Sequence, residues 1–292
     1  MATLRELKGR IGSVASSEKT TGAMKMISSA KRRKAEQALR RLQPFRRQIS
    51  TIFANILSSD AQFMSPLLEE REVNNYAILA FGSDDGLCGA YNVNIAKSVQ
   101  QTVDELRREY PEAHFTVMVV GGKLLKALSK LCGVEVVAAA GVDSKSSGDA
   151  VNGFFTDLQN RFVNGEFDRI EMAYMSYKSS GRQRYERARI LPVSMDAIAA
   201  ETEGINAYRP YLFEPDAASI FDSALPLYLM SVAQDVFAEN QASEQSARVM
   251  AMQSANDNAK KLLEELNLEY NKLRQQSITT ELLDILGGQV KD

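Results

Sequence analysis

Both ends of the chain carry apolar stripes at helical spacing that run far longer than an ordinary globular helix. In residues 3–58, apolar side chains recur every three or four positions, as at Leu4, Leu7 and Ile11. In residues 217–286, a similar stripe includes Leu225 and Leu229. At 1.5 Å per residue the two segments would be about 80 Å and 105 Å long. These lengths constrain the fold more than any other feature of the sequence.

Helices of this length cannot be buried against the rest of the chain. The roughly 120 residues between them would form a domain with a radius of gyration of about 14 Å. The two helices must therefore pair with each other, and the excess length must project into partners. Pro44 lies inside the first segment, so the helix either kinks there or is really two helices. A kink is favoured, because the stripe continues past Pro44 without a turn signal. Pro226 permits a kink near the start of the second segment.

The middle of the chain has a different pattern, in which short apolar runs alternate with helical stretches. Strands are predicted at 76–82, 114–122, 135–141, 169–177 and 186–194, and helices at 92–110, 122–131 and 149–164. Such alternation predicts a small α/β domain with a mostly parallel sheet. Pro192 disfavours a central place for the last strand. The predicted divisions are an N-terminal helix at 1–58, an α/β domain at 75–195 and a C-terminal helix at 217–286.

Charge is distributed unevenly along the chain. The formal net charge is −2, yet residues 1–50 contain thirteen Lys and Arg against three Glu, a local charge of about +10. The densest run of this basic arm is Lys31, Arg32, Arg33 and Lys34. A basic arm on an acidic body indicates acidic partners, which at this stage include protein, lipid and nucleic acid.

Signatures of an enzyme are missing from the sequence. Neither GxxxxGK[ST] nor GxGxxG occurs, and Gly121-Gly122-Lys123 only approaches the former. The single histidine, His114, opens a predicted strand and is interpreted as structural. Asp84-Asp85 is interpreted as a polar turn, because two acids alone rarely hold a cation. We therefore predict no catalytic residue, no cofactor and no metal.

Three further observations restrict the class of protein. Before Phe53 the basic arm has one aromatic residue, Phe45, too few for stacking on bases, so nucleic acid is a minor alternative. Cys88 and Cys132 lack metal-binding spacing and are expected to be reduced thiols. No signal-peptide core and no run of about 18 apolar residues is present, so no membrane span is expected.

Three segments carry a resemblance to a known family. The segments are IGSVASSEKTTGAMKMISSAKRRKAEQ at 11–37, SDDGLCGAYN at 83–92, and ARVMAMQSANDNAKKLLEELNLEYNKLRQQSITTELLDILGG at 247–288. They resemble the N-terminal signature, the central Gly-Leu-Cys-Gly turn and the C-terminal signature of ATP synthase gamma subunits. The core of the first signature lies at Lys19, Thr21, Ala23 and Met24.

Departures from the family pattern are small. Asp85 stands where the family usually has a basic residue, and Ala90 replaces a common glycine. Residues 195–215 contain no cysteine, whereas photosynthetic members carry a redox-regulatory insertion with a cysteine pair. Thiol regulation is therefore not expected. The lack of a transit peptide favours a bacterial protein or a mature chain.

The resemblance implies a rotor shaft. Its fold would be a long antiparallel coiled coil of the N- and C-terminal helices with a small Rossmann-like α/β domain. The coiled coil would lie inside a hexamer of alternating alpha and beta subunits, and the α/β domain against the epsilon subunit and the polar loops of the membrane c-ring. The shaft would be non-catalytic, bind no nucleic acid or small-molecule substrate, and work at the cytoplasmic face of the bacterial plasma membrane, or on the matrix side for a mature organellar chain. The alternative is a coiled-coil scaffold with an α/β head.

Particular residues acquire roles from the same resemblance. Arg274, Gln275 and Thr279 match positions at which the C-terminal helix of the family bonds to a beta-subunit loop. Lys19 and Met24 match the N-terminal helix near its beta contacts. The basic arm would face acidic beta-subunit surfaces. These are partner contacts, and none is expected to do chemistry.

Overall fold

The structure is a computed structural model that describes residues 3–59, 63–131, 133–202 and 212–288. Its elements follow one another as α1, β1, α2, β2, α3, β3, α4, β4, β5, α5 and α6. The helices are α1 (Leu4–Leu57), α2 (Tyr91–Glu109), α3 (Gly122–Leu128), α4 (Asp149–Val163), α5 (Met195–Thr202) and α6 (Ala217–Gly288). The strands are β1 (Asn75–Phe81), β2 (His114–Val120), β3 (Glu135–Ala138), β4 (Arg169–Ser179) and β5 (Arg182–Leu191). A short 3-10 helix occupies Pro66–Leu68.

The chain divides into two compact units. The first consists of Met1–Ser29 and Arg248–Asp292, and the second is Ala30–Ala247. The first unit contains only the outer parts of α1 and α6 among the residues described. The second contains the sheet, the shorter helices and the inner parts of the two long helices.

The sheet of the second unit has five strands in the order β3-β2-β1-β4-β5. Strands β1 to β4 are parallel, and β5 pairs antiparallel with β4 at the edge. Central β1 is apolar along almost its whole length, NYAILAF, as expected for a parallel strand covered on both faces. Strand β5, RQRYERARIL, is rich in charged residues, as expected at an edge.

Successive side chains of β1 enter two different cores. Ile78 and Ala80 pack with a cluster that includes Ile95 and Val99 of α2. Leu79 and Phe81 enter the larger cluster on the other face, which contains α4 and the inner parts of α1 and α6. The aromatic members of this larger cluster are Phe53, Phe81, Phe154, Phe155, Phe162, Phe167, Phe221, Tyr228 and Phe237. The period-two alternation of a strand thus fixes which helices cover which face.

Polar bonds join the two helices of the first unit. Asn256 of α6 is 6% exposed, and its Nδ2 donates to the carbonyl oxygen of Glu18 at 2.7 Å and to Oγ1 of Thr21 at 3.3 Å. Leu7 and Leu266 are the buried apolar residues of this unit with the lowest exposure. The seam between the helices is therefore part apolar and part hydrogen-bonded.

The structure confirms the predicted fold class, a mostly parallel α/β sheet with long N- and C-terminal helices. Pro44 and Pro226 lie inside single helices. The predictions for β2 and β3 were too long, that for β4 was too short, and that for β5 was shifted by about three to four residues toward the C-terminus. The sequence also gave no prediction of α5 (Met195–Thr202), which has only eight residues and a weak apolar periodicity. The division into 1–58, 75–195 and 217–286 stays a prediction.

Candidate functional site

The densest run of the basic arm lies on the part of α1 that belongs to the second unit. Lys31, Arg33 and Lys34 are exposed, whereas Arg32 is half-buried with its Nε 3.4 Å from Oε1 of Glu36. Charges on consecutive helical positions point in different directions, at about 100° per residue. The arm is therefore a basic collar around α1, available to acidic surfaces on several sides.

The predicted beta-contact residues of α1 lie in the first unit. Lys19 is exposed and Met24 is half-buried. Both are on the same stretch of helix as Glu18 and Thr21, whose oxygens accept from Asn256. Side chains here therefore project from a segment that the hydrogen bonds of Asn256 hold to α6.

The predicted contact residues of α6 form a separate group. Arg274, Gln275 and Thr279 are all exposed, and the Thr279 hydroxyl donates to the Gln275 carbonyl oxygen at 2.9 Å within the helix. Arg274 lies about 27 Å further along α6 than Asn256. In an antiparallel pair this places it opposite the beginning of α1. The structure thus does not bring these residues together with Lys19 and Met24.

Apolar side chains are exposed near the end of α6. Those between 49% and 63% exposed are Ile278, Leu282, Leu283, Ile285 and Leu286. Adjacent exposed apolar residues of this kind mark an interaction surface. The resemblance had assigned roles only to the polar residues of this segment, although the letters ITTELLDIL already show the apolar ones.

The carboxyl edge of the parallel strands is where α/β sheets bind ligands, and here a protein carboxylate fills it. Oδ1 of Asp84 accepts from the N–H of Gly122 at 2.8 Å, and Oδ2 accepts from the N–H of Ser144 at 2.9 Å. Burial opposes ionisation of Asp84, but these hydrogen bonds outweigh it and lower its pKa. The turn that the sequence interpreted as merely polar therefore ties together the loops after β1, β2 and β3.

Buried polar contacts between α6 and the α/β domain were missed by the sequence reasoning. Asn240 is completely buried; its Nδ2 donates to the carbonyl oxygen of Gly82 at 3.0 Å, and its Oδ1 accepts from the Tyr91 hydroxyl at 2.7 Å. A single asparagine within a helical stretch that also contains Glu and Gln gives no sequence signal of burial. Its partners become evident only once the sheet is assembled.

Within residues 3–59, 63–131, 133–202 and 212–288, no group of three or more His, Cys, Asp or Glu could hold a metal ion. In the same described ranges, no helix has the length and apolarity needed to cross a bilayer. Cys88 is a buried free thiol, and Cys132 lies outside the described residues. His114 begins β2 and is exposed.

Comparison with known proteins decides the family. A family model described as ATP synthase matches residues 3–290. The ATP synthase gamma chain of Bacteroides fragilis is 39% identical over 290 residues, which cover 99% of this chain and 100% of that protein. The chain belongs to the ATP synthase gamma family. The gamma chain of Cupriavidus pinatubonensis, 33% identical over 99% of both chains, is a more distant relative.

Family membership determines what kind of function the described surfaces serve. A gamma chain is the rotor shaft of its synthase and holds no catalytic site, because catalysis belongs to the beta subunits. It is a peripheral subunit of a membrane-bound complex. That the exposed groups on α1 and α6 contact other subunits stays a prediction.

Solved structures agree at the level of the fold. A chain of the Euglena gracilis mitochondrial ATP synthase, from a structure of its OSCP, F1 and c-ring, has a TM-score of 0.64 at 20% identity. The match covers 98% of this chain and 93% of that one. A chain from the rotor of the same enzyme has a TM-score of 0.59 and covers 94% of this chain.

Proposed function

We propose that this chain transmits torque between a membrane c-ring and the catalytic beta subunits of an ATP synthase. One copy would lie inside a hexamer of alternating alpha and beta subunits, with its α/β domain against the epsilon subunit and the polar loops of the c-ring. The observation that carries the proposal comes from the first compact unit, in which the outer parts of α1 and α6 lie together and the end of α6 exposes a row of apolar side chains. Such an end needs a partner to cover it.

The apolar end of α6 supports insertion into a socket of the hexamer. Leu282 is 55% exposed and Leu286 is 60% exposed, so each would leave water on assembly. Burial of apolar surface is non-directional. A shaft can therefore keep apolar contact at this end while it turns, which a fixed set of hydrogen bonds would not permit.

The polar contact residues would form hydrogen bonds to a beta subunit that are made and released as the shaft turns. Arg274 can form paired, charge-assisted hydrogen bonds with a carboxylate, and Gln275 and Thr279 lie beside it on the same exposed helix. Lys19 and Met24 would meet a second beta subunit at another level of the shaft. Contacts that differ from one side of the shaft to another would bias each beta subunit toward a different conformation.

The energy to be carried sets a requirement on the shaft. Each charge that crosses the membrane delivers about 2.3 kcal/mol per 100 mV, so several charges supply on the order of ten kcal/mol per catalytic step. A single hydrogen bond contributes only about 1 kcal/mol net. Torque must therefore be distributed over many contacts, and no one residue is expected to carry it alone.

The basic collar is proposed to orient the shaft among acidic beta-subunit surfaces. Lys31, Arg33 and Lys34 are exposed, and exposed charges of this kind influence association rate and orientation more than affinity. Their effect is screened by salt, with a Debye length of about 8 Å at physiological ionic strength. Higher salt should therefore slow assembly with the hexamer, and insensitivity to salt would count against this role.

The working position of the chain is proposed to be the cytoplasmic face of a bacterial plasma membrane. The relatives are bacterial, which favours a bacterial membrane over an organellar one. We also propose that the ion whose flow drives this synthase is the proton.

Assembly with catalytic subunits tests the proposal. Purified alpha and beta subunits are mixed with the chain, with Leu282→Lys or with Thr280→Lys, which adds the same charge at an exposed polar position two residues away. We expect a complex of three alpha, three beta and one gamma with sustained ATP hydrolysis for the unaltered chain, and weaker activity for Leu282→Lys than for Thr280→Lys. A chain that stays monodisperse and never associates would favour the scaffold alternative.

A further inference from the structure

The inner part of α6 lies within the second unit, where side-chain hydrogen bonds join it to the α/β domain on two sides. On one side, the Asn240 side chain bonds to Gly82 and Tyr91, and the Ser243 hydroxyl donates to the carbonyl oxygen of Met175 in β4 at 2.8 Å. Asn240 and Ser243 are both completely buried. These bonds attach α6 to β4, to the residue that follows β1 and to the start of α2.

A second set of bonds holds the other side of α6. Nε2 of Gln234 donates to the carbonyl oxygen of Gly148 at 2.8 Å and to Oδ1 of Asn152 at 2.9 Å. Nε2 of Gln241 donates to the carbonyl oxygen of Ser146 at 3.1 Å. These partners lie at the start of α4 and in the loop before it. They attach α6 to a different part of the α/β domain.

The angular positions of the four α6 residues show what this arrangement resists. At about 100° per residue, Gln234 and Gln241 lie within about 20° of each other around the helix axis. Asn240 and Ser243 lie about 120° and about 180° from Gln234. The helix is thus held on nearly opposite sides, so that rotation about its own axis in either direction breaks bonds on both sides.

Apolar packing alone would not give the same resistance. Around the helix axis, Phe237 lies between Gln234 and Asn240. It packs edge-on against Phe81 with ring centroids 5.0 Å apart, but apolar contact depends only weakly on orientation. Hydrogen bonds are directional. Rotation of α6 by one residue would also leave the buried amide of Asn240 and hydroxyl of Ser243 without partners, which is unfavourable.

We infer that Gln234, Asn240, Gln241 and Ser243 form a torsional joint that fixes the angle of α6 within the α/β domain. The inference rests on the proposed shaft function. If α6 could rotate freely within the α/β domain, part of the work passed between the c-ring and the beta subunits would be lost. These are positioning residues and touch no reactant. An ion pair also joins α6 to the other long helix, since Nη1 of Arg46 in α1 lies 2.7 Å from Oδ2 of Asp235 in α6.

The test compares a joint variant with a matched control. The joint variant is Gln234→Met, Asn240→Leu and Gln241→Met, which keeps side-chain size and removes the directional bonds. The control is Ser231→Ala, since the buried Ser231 hydroxyl bonds to the carbonyl oxygen of Tyr228 in its own helix. Spin labels on ketone-bearing residues introduced at exposed Ser223 of α6 and exposed Lys126 of α3 report the distance between helix and domain in the full chain.

We expect the distance distribution to widen by about twofold in the joint variant, because its directional restraints are gone. The control should match the wild type. If Asn240→Leu prevents folding, the milder pair Gln234→Met and Gln241→Met at half-buried positions is measured instead. An unchanged width in a folded variant overturns the joint.

A second measurement separates the joint from the shaft function. The first readout is the angular fluctuation of a probe on Lys126 in the assembled complex, stalled with a non-hydrolysable nucleotide; it should be larger in the joint variant than in the wild type. The second readout is ATP hydrolysis without load, measured separately, which should stay near the wild-type rate. Equal fluctuations in variant and wild type would contradict the joint. If the full-chain distances widen but the hexamer never turns the wild-type chain, the joint holds and the shaft function fails.

Discussion

At the scale of single residues, Gly121 shows how closely the loops after β1 and β2 approach each other. Its φ is +112°, and a Cβ added to it would lie 2.8 Å from the backbone nitrogen of Ser83. Gly121→Ala should therefore destabilise the chain by at least about 2 kcal/mol. Urea unfolding followed by near-UV circular dichroism of the tyrosines measures the loss.

Gly141→Ala is the control for that substitution. Gly141 also has a positive φ, +75°, but nothing lies within 4 Å of the added Cβ. Only the conformational cost remains, about 1 kcal/mol. Equal losses for Gly121→Ala and Gly141→Ala would show that the close approach has no energetic consequence.

Asp84 is the second residue whose contribution can be isolated. Asp84→Asn should cost about 1–2 kcal/mol at pH 7, because the carboxylate accepts two backbone hydrogen bonds. The pKa of Asp84 is lowered in the folded chain. Its stabilisation is therefore complete above the ordinary carboxyl pKa of about 4 and is lost as the pH falls through the lowered value.

The measurement is the difference in unfolding free energy between wild type and Asp84→Asn across pH 7 to 3. The difference should be constant down to about pH 4 and shrink below it. Asp85→Asn serves as the control, since Asp85 is exposed and paired with Lys145, and it should change stability by less than about 1 kcal/mol. A difference that grows as the pH falls would contradict the assignment.

At the scale of elements, Asn256 sets the alignment of the two helices in the first unit. A Cβ on Gly22 would lie 3.3 Å from its Nδ2, so the helices approach closely here. A polar residue in such a seam favours one register over others. Asn256→Leu should leave the helices paired but allow more than one register.

Spin labels on exposed Ser13 and Lys260 distinguish the registers. We expect a single distance in the wild type and additional distances in Asn256→Leu. Asn258→Leu, the same change at an exposed position of α6, should keep the single distance. One sharp distance in all three chains would show that apolar packing alone sets the register.

Elements also show how far sequence reasoning extends. The stripe through Leu225 and Leu229 predicted α6 correctly because apolar periodicity reports burial directly, and both residues are buried. Asn240 and Asn256 were not predicted as buried contacts. Their burial depends on partners more than a hundred residues away, and nothing in the local pattern distinguishes a bonded asparagine from a solvated one.

Less of the candidate site than of the fold could be predicted from the sequence. The resemblance supplied Arg274 and its neighbours, and the structure leaves their roles as proposals on an exposed helix. The joint around Gln234 and Asn240 had no counterpart in the sequence reasoning, because its parts come from α6, β4, the residue after β1, the first turns of α2 and α4, and the loop before α4. Only the assembled domain brings these parts together.

At the scale of the whole molecule, coupling is the property that a shaft must provide. Met24 is half-buried on α1, and Met24→Lys adds a cation at a predicted beta contact. We expect assembly and ATP hydrolysis to persist while protons pumped per ATP fall several-fold, because a mispaired charge costs energy at specific angles of rotation. Met24→Leu, which keeps the apolar character, is the control, and equal pumping ratios for both variants would contradict the role.

Rotation of the chain itself tests the central claim most directly. The hexamer is fixed to a surface, a probe is attached to the α/β domain at exposed Lys126, and ATP is added. A torque-transmitting shaft should turn the probe in one direction, in three steps per revolution, at a rate that matches ATP hydrolysis. A probe that stays fixed or fluctuates without direction while the same complex hydrolyses ATP would contradict the account.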